Sequence, residues 1–138
     1  QTWNLTTLFD AMWSGDAETL TAEINKLLYK TISYHDYKED FYHAFLTGIL
    51  AGSGCAVESN REHGQGRSDI VVYHPERPQV VIFEAKYAKK LDELEERCEA
   101  ALDQIEEKQY TKEFDNGYTS IRCYGIAFYK KCCLVRTR

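Results

Sequence analysis

The chain has 138 residues, 43% of them hydrophobic and 13% aromatic, with a formal net charge of −5. That length suits one domain with a hydrophobic core of its own, and the apolar content excludes a disordered chain. Two prolines and eight glycines exclude collagen-like and low-complexity classes, and the net negative charge taken alone argues against a polyanionic partner.

Residues 1–36 read as a preamble. Ser14-Gly15-Asp16 is a helix-start signal, and Leu20, Ile24, Leu27 and Leu28 follow at helical spacing. Asp36 with Glu39 three residues on reads as a capping box, which predicts a helix from about Tyr37 to Ala51, ended by Gly52-Ser53-Gly54. Phe41, Phe45 and Ile49 recur every four residues along it, with Tyr42, Leu46 and Leu50 beside them. Three strand-like runs come next: Cys55 to Ser59, Asp69 to Tyr73, and Val80 to Phe83 continuing into Lys86. The link between the last two carries Pro75 and Pro78 and is short, as in an antiparallel hairpin. Residues 91–112 predict a long helix with Leu91, Leu94, Cys98, Leu102, Ile105 and Gln109 as its core stripe. Ile121 to Tyr129 and Cys132 to Arg136 read as two final strands joined at Lys130-Lys131.

The charge is concentrated. Residues 91–115 hold ten acids against three bases, a net of −7, while the remaining 12 acids and 14 bases net +2. The acidity belongs to the long helix, whose charged side reads as a solvated face. The last 18 residues hold Arg122, Lys130, Lys131, Arg136 and Arg138 and no acid, so the rest of the molecule could still face a polyanion. Five cysteines, with no CxxC pair and no histidine at zinc-ligand spacing beside them, suggest reduced thiols and a cytoplasmic setting. There is no signal-peptide pattern and no apolar run near the roughly 18 residues of a membrane span.

Ionisable residues at the ends of apolar strands are the informative feature. Asp69 precedes Ile-Val-Val, and Glu84 and Lys86 follow Val-Val-Ile-Phe. Residues two apart on a strand share a face, so Glu84 and Lys86 point the same way. If the hairpin pairs Tyr73 with Val80, the same register sets Asp69 directly opposite Glu84. A slip by one residue would put the acids on opposite faces. Two carboxylates with Cβ atoms roughly 4.5–5.5 Å apart need a compensating cation or a raised pKa. A divalent ion with oxygen ligands, Mg²⁺ or Mn²⁺, is the natural compensation. A lysine beside it can orient a water or stabilise charge on a phosphate. Aspartate, glutamate and lysine so arranged make a phosphodiester hydrolysis site. The alternative is a buried ion-pair network at strand ends.

This arrangement resembles the PD-(D/E)XK nuclease signature, with Asp69, a spacer and Glu84-Ala85-Lys86; Ser68, not proline, precedes Asp69. Residues 39–52, 59–69, 104–110 and 124–128 resemble, in order, the first helix, the second motif and two later motifs of one branch of that superfamily. That branch is the nuclease-like domain at the C-terminus of bacterial proteins whose N-terminal part resembles an AAA-type ATPase. The resemblance covers about residues 33–136. It implies a restriction-endonuclease-like α/β fold: a mixed sheet of four to five strands flanked by helices in the order αβββαββ, with an extra N-terminal helix. Residues 1–32 would be the helical tail of an upstream ATPase-like region, and 33–138 the nuclease-like domain. By position, Asp69 and Glu84 become metal ligands, with the carbonyl of Ala85 as another, and Lys86 the catalytic lysine. Glu39 matches a first-helix acid that some members add to the metal site, although it could serve only as its helix's capping-box glutamate. Gln104 and Tyr110 match a helix motif that lines the substrate side. Arg61 and Arg67 flank a glycine-containing turn and could grip phosphates or pair with Glu58 or Glu62. The implied partners are nucleic acid, DNA before RNA, and the ATPase-like part of the same longer chain. The rival from another class is a silent nuclease-like module used for binding or docking.

Overall fold

The computed structural model describes residues 4–31, 38–62, 67–108, 114 and 117–138, with backbone alone at 61, 62, 67 and 68. Two helices open the described chain, α1 (Thr6–Ser14) and α2 (Ala17–Thr31). The sequence pattern predicts a single helix there, so α1 is an addition to it. Gly15 closes α1 in the left-handed region at φ +84°, and Asp16 caps α2 by accepting the Thr19 N–H at 3.0 Å and the Thr19 hydroxyl at 2.6 Å. α3 (Glu39–Ala51) follows, then β1 (Ala56–Glu62), β2 (Arg67–Tyr73), β3 (Gln79–Tyr87), a 3-10 turn at Leu91–Glu93 leading into α4 (Leu94–Glu107), β4 (Ser120–Tyr129) and β5 (Cys132–Thr137). Asp36, half of the expected capping box, lies outside the described residues.

The strands form one mixed five-stranded sheet in the order β1-β2-β3-β4-β5, antiparallel except for the parallel β3–β4 pair. The parallel pair requires a crossover, and α4 supplies it. The molecule is thus a three-layer α/β fold of the restriction-endonuclease-like kind. α1, α2 and α3 cover one face, where Met12, Leu28, Leu46, Ile70, Phe83 and Tyr124 share one core. α4 covers the other, where Leu102 and Ile105 pack on Val71, Val80 and Ile82. Alternation along the strands decides which residues meet which layer.

The N-terminal helices are bound into the first layer by specific polar contacts. The Tyr124 hydroxyl donates to the Met12 carbonyl at 2.6 Å. Asn25 exchanges two hydrogen bonds with the Cys133 backbone, at 3.0 and 2.7 Å. α3 buries Tyr42, Leu46 and Leu50, while Phe41 is 37% exposed. The expected stripe is therefore rotated by one residue. On α4 the stripe holds at Cys98, Leu102 and Ile105, but Leu91 is 61% exposed, and Gln109 lies outside the described residues.

The basic C-terminus answers the acidic helix. Arg138 pairs with Glu99 at 2.7 Å, Asp103 at 2.9 Å and Glu106 at 2.8 Å, and Arg136 lies 4.0 Å from Glu95. Arg122 donates from Nε to the Trp13 carbonyl at 2.9 Å. These three arginines are thus engaged within the fold. Among the described residues no helix is long and apolar enough to cross a membrane.

Candidate active site

The β2–β3 register pairs Tyr73 with Val80 and Asp69 with Glu84, as the hairpin argument requires. Both acids are fully buried, the only buried charged residues among those described. They lie on the α4 face, because Asp69 alternates with Ile70 and Glu84 with Phe83, and those apolar neighbours belong to the opposite core. The β2–β3 ladder ends at this pair. Beyond it β2 continues beside β1 to Arg67, and β3 continues beside β4 to Tyr87. The sheet therefore divides just past the acids.

Polar side chains from β1, β3 and α4 gather around the pair. Asn60, opposite Asp69 on β1, donates its amide to Asp69 Oδ1 at 3.0 Å. Lys108, directly after α4, places Nζ 2.9 Å from Glu84 Oε1 and 3.3 Å from Asp69 Oδ2, with its side chain only 12% exposed. Lys86, on the same strand face as Glu84, donates from Nζ to Gln104 Oε1 on α4. Burial holds the Lys86 pKa below its ordinary value, and the Lys108 charge adds to that, while Glu84 opposes it.

Gly125 makes this assembly possible. It sits beside Glu84 in the β3–β4 ladder, and a Cβ there would fall 2.4 Å from the Cys98 carbonyl oxygen and 3.1 Å from Ala101 Cβ. A bare backbone lets α4 lie against the sheet, bringing Gln104 and Lys108 over the acids.

Of the other expected residues, Ala85 is buried between Glu84 and Lys86, with its side chain toward the opposite layer. Glu39 stands in the first turn of α3, on that opposite layer, lining a groove with Tyr42, Tyr87, Phe128 and Lys130. Among the described residues no three His, Cys, Asp or Glu converge as a metal group, so Glu39 is not gathered with Asp69 and Glu84. Arg61 and Arg67 fall on β1 and β2 just past the Asn60–Asp69 pair, in the register Arg61↔Ser68 and Glu62↔Arg67. Tyr110 lies outside the described residues. His43 hydrogen-bonds Ser59 Oγ at 2.6 Å, linking α3 to β1.

Sequence reasoning misses Lys108 and Asn60. Continuing the α4 stripe from Ala101 and Ile105 by three residues reaches Lys108, one residue short of the Gln109 that the expected stripe ends on. Asn60 needs the β1 register, and β1 runs past the expected end at Ser59.

The chemistry of the donor set fits a hard divalent ion: two opposed, buried carboxylates supply oxygens, and few protein ligands are required when waters and phosphate complete the shell. Residues 37–138 match the family model of the PD-(D/E)XK nuclease superfamily. No curated protein matches the chain.

Proposed function

The chain belongs to the PD-(D/E)XK nuclease superfamily, and on that premise we propose that it is a metal-dependent nuclease domain hydrolysing phosphodiester bonds of nucleic acid, DNA before RNA. The observation that carries this reading is the fully buried Asp69–Glu84 pair with Lys86 on the same strand face. Two like charges at opposed positions are costly without a function or a cation.

Asp69 and Glu84 would hold Mg²⁺ or Mn²⁺, with the Ala85 carbonyl as a further ligand. Such an ion acidifies water and withdraws charge from a phosphoryl oxygen. Asn60 fixes the Asp69 carboxylate through Oδ1. Lys86 directs its ammonium at the attacking water or at charge growing on the phosphate, and Gln104 is its positioning residue. Burial lowers the Lys86 pKa, which makes its proton easier to give up. Arg61, Arg67 and Tyr110 are proposed substrate contacts. Glu39 would need a change at α3 to join the metal site. Five free cysteines fit a reducing, cytoplasmic setting, and an AAA-ATPase-like region of a longer chain is the proposed partner.

A second reading draws on Lys108, whose ammonium already neutralises part of the acid pair's charge. It is a silent module that binds nucleic acid or docks onto the ATPase-like region. The two separate in one experiment: incubate the purified chain with DNA and RNA, with Mg²⁺ or Mn²⁺ and with chelator, following cleavage and gel retardation together. Cleavage that needs metal supports the nuclease. Retardation with no cleavage under any metal supports the module.

A further inference from the structure

The acid pair already holds a cation, Lys108. Its ammonium lies 2.9 Å from Glu84 Oε1 and 3.3 Å from Asp69 Oδ2, so one cation bridges one oxygen from each acid. Asp69 Oδ1 is meanwhile engaged by Asn60. A divalent ion shared by the two acids needs an oxygen from each, at about 2.0–2.1 Å for Mg²⁺. An ammonium on the same two oxygens would stand within a few ångströms of it, and like charges at that range repel where the acids are buried. Ion and ammonium therefore compete for the same pair of oxygens.

We infer that Lys108 is a built-in counter-cation that holds the Asp69–Glu84 pair in the metal-free protein and is displaced when a divalent ion binds. This inference rests on the reading of that pair as a metal site. The position of Lys108 suits the task. It follows the last residue of α4, so a long side chain can leave the acids without unfolding the helix. Gly125 keeps α4 close enough for the ammonium to reach them.

The exchange also changes the charge seen by a substrate. Without metal, the formal charges of Asp69, Glu84, Lys86 and Lys108 cancel. With a divalent ion on the acids and Lys108 displaced, the same groups carry a net positive charge. Phosphate is then attracted to the loaded site in preference to the empty one.

The test is Mn²⁺ binding to the whole chain by titration calorimetry, wild type beside Lys108→Met, which keeps the length and removes the charge. The expected result is at least tenfold tighter binding in the variant, since no ammonium has to leave. A second measurement needs no substitution: acetylation of lysines in the wild-type protein, mapped by mass spectrometry, with and without Mn²⁺. Lys108 should acetylate faster in Mn²⁺, with Lys26, 70% exposed, as the internal reference. Equal or weaker binding in Lys108→Met, or unchanged Lys108 acetylation while the wild type binds Mn²⁺, overturns the inference alone. Absence of Mn²⁺ binding in both proteins overturns it together with the metal-site reading.

Discussion

Asp69 and Glu84 face each other across the β2–β3 hairpin, both fully buried, with the Lys108 ammonium bridging them. The two carboxylates at directly opposed positions repel each other, and this ammonium and Lys86 offset that repulsion in the metal-free protein. Glu84→Gln removes one charge at nearly constant shape and leaves Lys108 with Asp69. The metal-free variant should gain about 1 kcal/mol, as repulsion between the opposed carboxylates is relieved. Lys108→Met does the opposite: it takes the bridging cation from two buried carboxylates and should cost about 3–5 kcal/mol without metal. Denaturant melts in chelator check both signs. A Glu84→Gln protein less stable than wild type would contradict the balance described.

Lys86 and Lys108 sit close together, and the roles proposed for them differ. Lys86 is half-desolvated and hydrogen-bonded to Gln104. Lys86→Met should leave stability unchanged or slightly raised, because a poorly solvated ammonium is removed. Cleavage should fall by about 10²- to 10⁴-fold, the range for a positioned proton-transfer or charge-stabilising group. Single-turnover rates beside thermal melts separate the two effects.

Gly125→Ala tests the close approach of α4. The added methyl would meet the Cys98 carbonyl at 2.4 Å, and backbone cannot yield as a flexible side chain does. The expected cost is about 1–3 kcal/mol, accompanied by loss of cleavage as Gln104 and Lys108 move off the acids. An equally stable and equally active variant would show that α4 has slack over β4.

Alkaline pH should destabilise the fold through Cys98. Burial pushes this thiol from its ordinary 9.0 up to about 11, and it donates to the Leu134 carbonyl at 3.1 Å. The unfolded chain loses the proton near the ordinary value, the folded chain only later. The stabilisation is therefore present below about pH 9 and lost as pH rises toward 11. Stability measured from pH 8 to 11 should fall, and fall less steeply in Cys98→Ala, whatever the variant's absolute stability.

The strand periodicities, together with one hairpin register, make the acid pair legible in the sequence. Tyr73 opposite Val80 forces Asp69 opposite Glu84 because the side-chain period is two. The helix α1 is not legible, since Thr6–Ser14 is short and lacks an apolar stripe long enough to stand out. The core face of α3 lies one residue from the expected one, because Phe41 and Tyr42 are both large and aromatic and only tertiary packing chooses Tyr42. Lys108 escapes because a lysine beside a run of acids reads as solvated surface. Its burial depends on Gly125, whose significance comes from the approach of Cys98 and Ala101 on another element, far away in the sequence.

The central claim is that Asp69, Glu84 and Lys86 form a metal-dependent phosphodiester hydrolysis site. Its most direct test is cleavage of DNA and RNA by the wild-type chain in Mg²⁺ or Mn²⁺, beside Asp69→Ala and Lys86→Ala. The account predicts metal-dependent cleavage that chelator abolishes and that both substitutions remove while the fold is retained. Cleavage that survives both substitutions would contradict it.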